Sequence, residues 1–268
     1  MSKVVGIDLG TTFSAIAELD DLGNPEVLSD PESGNRIIRS AVYFGRDKVI
    51  VGEKAKDASV TNRNKVVFEV KREMQNEVIY SLKDGEFKEE DGKIKGYTPS
   101  QISSLILSKL KDNTSKVKKA VITVPALFSD RARSATLDAA KLSKLEVELI
   151  NEPTAAVLHY ANLPNISLNG RILIFDLGGG TFDISIAAVK GKKVEVITSV
   201  GDQHLGGQDF DREILNLIDK KYKKSKGKGI DLKDPVLLDI AERIKKLLST
   251  KEKVSEIIEG PKGPTKID

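Results

Sequence analysis

One short pattern occurs twice in this chain and restricts its fold more than any other feature. Ile7-Asp8-Leu9-Gly10-Thr11-Thr12-Phe13-Ser14 is the first copy, and Phe175-Asp176-Leu177-Gly178-Gly179-Gly180-Thr181-Phe182-Asp183 is the second. Each is a β-rich run, an aspartate, a leucine, a glycine-bearing turn with threonine, and a second β-rich run. That order predicts a hairpin in each place. The two aspartates lie 168 positions apart, far beyond a solenoid period. The pattern therefore predicts two similar lobes, each with its own hairpin.

The turns suit phosphate. Glycine lets backbone N–H groups approach an anion with no side chain in the way. The hydroxyls of Thr11, Thr12 and Thr181 add donors. Asp8 and Asp176 sit at strand ends beside the turns, where a carboxylate repels phosphate unless a divalent cation lies between them. Magnesium, which keeps its waters and takes few carboxylates, fits that position. Two such hairpins facing each other would clamp a polyphosphate.

The rest of the chain gives these hairpins an α/β setting. Further strands are predicted at Ala41–Phe44 and Val49–Val51, and an exposed loop or polar hairpin over Lys83–Lys95. Thr98-Pro99-Ser100-Gln101 has capping-box spacing with proline at the first helical position. Ile102, Leu105, Ile106 and Leu110 then form one apolar stripe. A strand (Ala120–Val124), a helix (Asp130–Leu142), a strand (Val147–Ile150) and a helix (Pro153–Ala161) follow, an alternation that packs helices on a sheet. After the second hairpin come a strand (Lys193–Val200) and helices over Asp209–Lys224 and Asp234–Ser249. Gly260-Pro261-Lys262-Gly263-Pro264 reads as a turn or a frayed end.

Composition narrows the function classes. The chain has 268 residues, no cysteine, two histidines and a net charge of +3. Disulfides, thiolate metal sites and a cysteine nucleophile are excluded. His159 and His204 lack metal-ligand spacing. The small net charge gives no reason to expect nucleic acid or a membrane surface, and no apolar run approaches a membrane span. The Lys220–Lys233 run reads as a solvated face. The N-terminus runs straight into strand-like sequence with no leader, so a cytoplasmic protein is expected.

Five segments together resemble the DnaK-type heat-shock chaperones, the seventy-kilodalton heat-shock protein family. They are Asp8–Thr12, Val124-Pro125-Ala126, Asn151-Glu152-Pro153-Thr154-Ala155-Ala156, Asp176–Asp183 and Gly201–Asp211, in the family's order. The resemblance implies an α/β, actin-like ATPase fold of two lobes, each a mixed β-sheet with packed helices. It gives 1–170 to lobe I, with subdomains IA and IB, and 171–268 to part of lobe II. It implies ATP or ADP with Mg2+ as cofactors. It implies unfolded peptides, a J-domain cochaperone and a nucleotide-exchange factor as partners in a full-length context.

Residue by residue, the resemblance gives Asp8 and Asp176 to hydrated magnesium. Gly10, Thr11, Thr12 and Phe13 match the first phosphate loop, and Gly178, Gly179, Gly180 and Thr181 the second. Lys71, in Phe68-Glu69-Val70-Lys71-Arg72, matches the lysine at the γ-phosphate, where a point charge stabilises the transferring phosphoryl group. Glu152 and Asp183 match carboxylates near the attacking water, and Asp176 and Thr181 share that catalytic group. Gly206 and Gly207 match a further nucleotide contact. In the last helix Glu242, Lys245, Lys246 and Ser249 fall on one face, matching the adenosine side, while Ile240, Ile244, Leu247 and Leu248 are expected on the other. Pro125 and Arg133 match residues coupling nucleotide state to the peptide-binding domain.

Two departures qualify the match. Lys246 stands where many members have arginine, and an ammonium cannot stack flat on adenine as a guanidinium does. The family's next glycine-rich segment and its peptide-binding domain would follow Asp268, so an incomplete second lobe with an exposed edge and apolar surface is expected. Besides an ATPase, the sequence allows a nucleotide-binding or interaction module without turnover. A sugar kinase or actin relative is disfavoured by Gly201–Asp211 and Asn151–Thr154.

Overall fold

The computed structural model describes residues 3–46, 48–80, 87–88, 94–114, 117–163, 166–191 and 193–268. Two compact units divide between Gln203 and His204. The first holds β1 (Lys3–Leu9), β2 (Phe13–Leu19), β3 (Pro25–Val27), β4 (Ile38–Arg39), β5 (Val42–Phe44), β6 (Val49–Val51), α1 (Glu53–Asn62), β7 (Val66–Val67), β8 (Phe87–Lys88) and β9 (Ile94–Lys95). It continues with α2 (Pro99–Lys111), β10 (Val117–Val124), α3 (Asp130–Leu142), β11 (Glu146–Asn151), α4 (Glu152–Ala161), β12 (Gly170–Leu177), β13 (Phe182–Lys190) and β14 (Lys193–Asp202).

The main sheet runs β11-β10-β1-β2-β3, with β4 also paired to β2. β1, β10 and β11 are parallel, and β2 is antiparallel to β1. Such a mixed sheet follows from the sequence: a tight hairpin returns β2 beside β1, while helical crossovers bring β10 and β11 back parallel. Asp8 is in register with Thr123, and Val124 with Asn151. The chemistry-bearing residues thus gather at the carboxyl ends of parallel strands, where open α/β sheets bind ligands. Val5, Ile7 and Ile122 face the core, meeting Ile102, Ile106 and Leu110 of α2. The Thr98 capping box forms in full, with Gln101 as its partner.

The second hairpin folds as expected into β12 and β13 and extends into a three-stranded antiparallel sheet with β14. One face packs Ala187 and Val189 on Val157 of α4. On the other, Leu173, Phe175 and Val200 are 64%, 62% and 62% exposed. Of the 83–95 segment, only 87–88 and 94–95 are described, and they pair antiparallel as β8 and β9; the rest of that expectation lies outside the described residues. α1 was not predicted. Its only buried residues are Ala55 and Ser59, too few to print a helical stripe.

The second unit holds α5 (Gly207–Lys226), α6 (Pro235–Leu248), β15 (Glu256–Ile258) and β16 (Thr265–Ile267). Its core comprises Leu215, Ile218, Tyr222, Leu237, Ala241, Ile244 and Ile258. The apolar face expected for α6 is found in part: Ile244 is buried and Ile240 packs against the same core. Leu237, Ala241 and Ile244 are its buried residues, whereas Leu248 is 45% exposed. The i, i+4, i+7 row that begins at Leu237 passes through alanine, and small alanine is what lets α5 approach. Gly260–Gly263 is not frayed: it turns the β15–β16 hairpin, with Gly263 N–H on Gly260 C=O and the Tyr222 hydroxyl on Gly263 C=O at 2.8 Å.

Candidate nucleotide site

Within the first unit, one cleft of about 640 Å3 is lined by Asp8, Gly10, Thr11, Thr12, Phe13, Lys71, Glu152, Asp176, Gly178, Gly179 and Thr181. These are most of the residues singled out in sequence. The two glycine turns face each other at close range. A Cβ on Gly179 would collide with Thr12, and one on Gly180 with Thr11 and the Arg72 side chain, so glycine is required at both positions. Gly178 N–H closes the second loop onto Thr181 C=O at 2.9 Å. Gly180 and Asp183 do not line the cleft. Gly180 is buried within the loop, and Asp183, 4% exposed, sits across the strand pair from Asp176.

Each charged group is placed by a different element. Asp8 ends β1 and accepts from the Thr123 hydroxyl on β10 at 3.1 Å. Glu152 opens α4, where a negative charge meets the positive end of the helix dipole. Lys71 enters on a short 3-10 turn, Val70–Glu73. Its ammonium lies 2.5 Å from Glu152 Oε1 and 5.9 Å from the Phe128 ring centre. Asp176 closes the set from the end of β12.

Negative charge exceeds positive in the cleft. Burial opposes the Lys71 charge, but Glu152, Asp8 and Asp176 outweigh it and hold the ammonium above its ordinary range. Burial pushes Glu152 up against the pull of Lys71, and the charges of Asp8 and Asp176 add to the rise. Asp176 is likewise raised by burial and by Asp8, with Lys71 opposing. Asp183 is pushed up to about 6 by burial, then by Glu152 and Asp176. Its buried Oδ1 has no hydrogen-bond partner. One ammonium among the cleft's three carboxylates leaves a deficit of positive charge that a hard divalent cation with oxygen ligands fits.

The structure adds supporting contacts around these residues. The first loop is braced by Ser14 and Ser40: Gly10 N–H donates to Ser14 Oγ at 3.2 Å, and Ser40 Oγ–H donates to Gly10 C=O at 2.8 Å. The two hydroxyls are 2.8 Å apart and buried. Ser14 belongs to the first motif itself, whereas Ser40 comes from a distant loop and leaves no local signal. Arg133 donates to Asn151 Oδ1 at 2.8 Å and more weakly to the carbonyls of Pro125, Ala126 and Phe128. It thereby fixes the residue preceding Glu152.

The remaining predicted residues belong to the second unit. Gly206 N–H donates to Asp209 Oδ2 at 2.8 Å at the start of α5. Lys245 bridges from α6 to α5, reaching Asp211 Oδ1 at 2.8 Å and Gly207 C=O at 2.7 Å. Lys246 pairs with Glu242 one turn back at 2.8 Å, and Ser249 Oγ lies 3.5 Å from Lys245 C=O. The predicted polar face therefore exists, with Lys245 committed to α5.

A larger surface groove, about 1060 Å3, runs along Met74–Ile79, the start of α2 and α3. It holds no converging glycine turns and no comparable carboxylate set, so volume alone does not mark the site. Among the described residues no helix is long and apolar enough to cross a membrane. The family model described as Hsp70 protein matches residues 4–259. With the mixed sheet, the paired Asp-Gly hairpins and helices packed as in an actin-like ATPase fold, that match over nearly the whole chain shows that this protein belongs to the Hsp70 family and carries its chaperone nucleotide-binding region.

Proposed function

We propose that this chain binds ATP with Mg2+ in the first unit's cleft and hydrolyses the terminal phosphate. One observation carries the reading: two glycine turns, Lys71 and the carboxylates Asp8, Glu152 and Asp176 line a single cleft. The backbone N–H groups and threonine hydroxyls of residues 10–13 and 178–181 bind the phosphates. Asp8 and Asp176 would hold a magnesium ion, which would supply charge neutralisation at the phosphates. Lys71 stabilises charge on the transferring phosphoryl group, while Glu152 and Asp183 orient the attacking water. Phosphoryl transfer asks for little beyond such positioning and electrostatics.

The polar face of α6, with Glu242, Lys245, Lys246 and Ser249, is proposed for the adenosine, supported by family resemblance and by the face being present. Gly206 and Gly207 are proposed as nucleotide contacts on the same ground. Coupling of turnover to unfolded-peptide binding, with a J-domain cochaperone, an exchange factor and the Pro125–Arg133 connection, is proposed from family membership.

Single-turnover hydrolysis with protein in excess over ATP tests the reading. Lys71→Ala is expected to slow phosphate release by about 10²–10³-fold. ATP binding, seen calorimetrically, with no release above that variant would make the chain a nucleotide-binding module instead. No binding at all would remove both readings.

A further inference from the structure

The run Glu69-Val70-Lys71-Arg72 sets two cations side by side, and the function proposed above employs only the first. Arg72 is buried, and its Nε–H donates to Gly180 C=O of the second loop at 2.8 Å. Its Nη1 lies 3.1 Å from the Glu69 carboxylate. Glu69 itself adopts φ 57°, ψ 24°, in the left-handed region that non-glycine residues seldom occupy. That conformation starts the 3-10 turn carrying Lys71, and Glu69 C=O accepts from Arg72 N–H at 3.0 Å. Glu69 thus grips Arg72 by backbone and side chain, and Arg72 grips the loop.

The consequence is geometric. The Gly180 carbonyl and the Thr181 N–H belong to one rigid trans peptide plane. Holding the carbonyl toward Arg72 turns that N–H to the opposite side. The contact is close: a Cβ on Gly180 would lie 2.8 Å from Arg72 Nε. Lys71 and Arg72 are adjacent on one turn, so the contact also fixes where the ammonium stands relative to the loop. We propose that Arg72 is a positioning residue that locks the second phosphate loop and Lys71 into one unit. Glu69 is strained so that this unit can form.

The proposal rests on reading the cleft as an ATPase site, so its test carries a readout that needs no nucleotide. Amide hydrogen exchange on the full nucleotide-free chain would compare wild type with Arg72→Met and Arg72→Lys. Arg72→Met is expected to speed exchange of the 178–181 amides by about tenfold, the worth of one charge-assisted hydrogen bond. Other segments stay unchanged, and Arg72→Lys, which keeps one donor, recovers part of the protection. In single turnovers Arg72→Met should release phosphate about 10–100-fold more slowly, with ATP affinity altered less than about threefold. Unchanged exchange at 178–181 overturns the proposal, and so does faster exchange throughout the first unit in both variants, which would make the contact merely structural. If loop exchange changes as expected but the wild type releases no phosphate, the ATPase reading fails and the role of Arg72 in placing the loop stands.

Discussion

A buried carboxyl group with one oxygen unpartnered favours its proton, and Asp183 is such a group. Its pKa of about 6 in the folded chain exceeds the ordinary aspartate value of roughly 3.9. The folded state therefore binds this proton more tightly than the unfolded chain. The associated stability is full below about pH 4 and is lost as pH rises through about 6. Asp183→Asn removes that loss. Urea unfolding followed by circular dichroism, without nucleotide or metal, should show the variant gaining about 2–3 kcal/mol on wild type between pH 4 and 7.5, as a rise from roughly 3.9 to about 6 implies for a buried group. A gap that stays constant with pH would mean that Asp183 does not titrate there. Lys246 gives a second test at this scale. If α6 holds adenine, Lys246→Arg adds a flat stacking cation and should tighten ATP by about two- to fivefold in calorimetry. Unchanged affinity would detach Lys246 from the nucleotide.

Helices in this chain were legible in proportion to how locally they are specified. The start of α2 was readable to the residue because a capping box needs only Thr98 and Gln101, three positions apart. Thr98→Ala should cost about 1 kcal/mol in urea unfolding; no loss would mean that the cap is redundant. α1 was illegible, since its few buried side chains leave no period to detect. α6 forms as expected, and Ile240 and Ile244 of its expected apolar face do join the core, but the face is centred on Leu237 and Ala241 rather than on Leu247 and Leu248. Large apolar residues drew attention to Leu247 and Leu248, whereas packing against α5 uses Ala241. Ala241→Leu should therefore destabilise by about 1–3 kcal/mol through overpacking, while Leu248→Glu should change little. The reverse order in thermal melts would restore the original face.

At the scale of the molecule, two units carry separate cores. Tyr222 anchors the second: it is fully buried, donates to Gly263 C=O and accepts from Lys262 N–H at 3.1 Å. Tyr222→Ala removes a large aromatic and both bonds, a loss of about 3–5 kcal/mol. Hydrogen exchange should rise across residues 204–268 and stay near wild type in 1–203. Uniform acceleration would show that the units unfold as one. One face of the β12–β13–β14 sheet exposes Leu173, Phe175 and Val200. Its alternation with the buried face is written in the strand period of two, but which face would be covered could not be read from that period.

Local sequence carries the grammar of this chain: both Asp-Gly hairpins, the capped helices, the α/β alternation and, through resemblance, Lys71 and Glu152 as candidate site residues. These follow from backbone preferences and short-range spacing, which act within a few residues. Only the tertiary structure decided that the two turns meet so closely that Gly179 and Gly180 admit no side chain. It also decided that Ser40 braces a loop thirty positions away and that Arg72 holds Gly180 across more than a hundred. Such contacts join residues whose separation in sequence carries no periodicity. Packing, burial and the balance of charge in one cleft select them, and those exist only once the chain has folded.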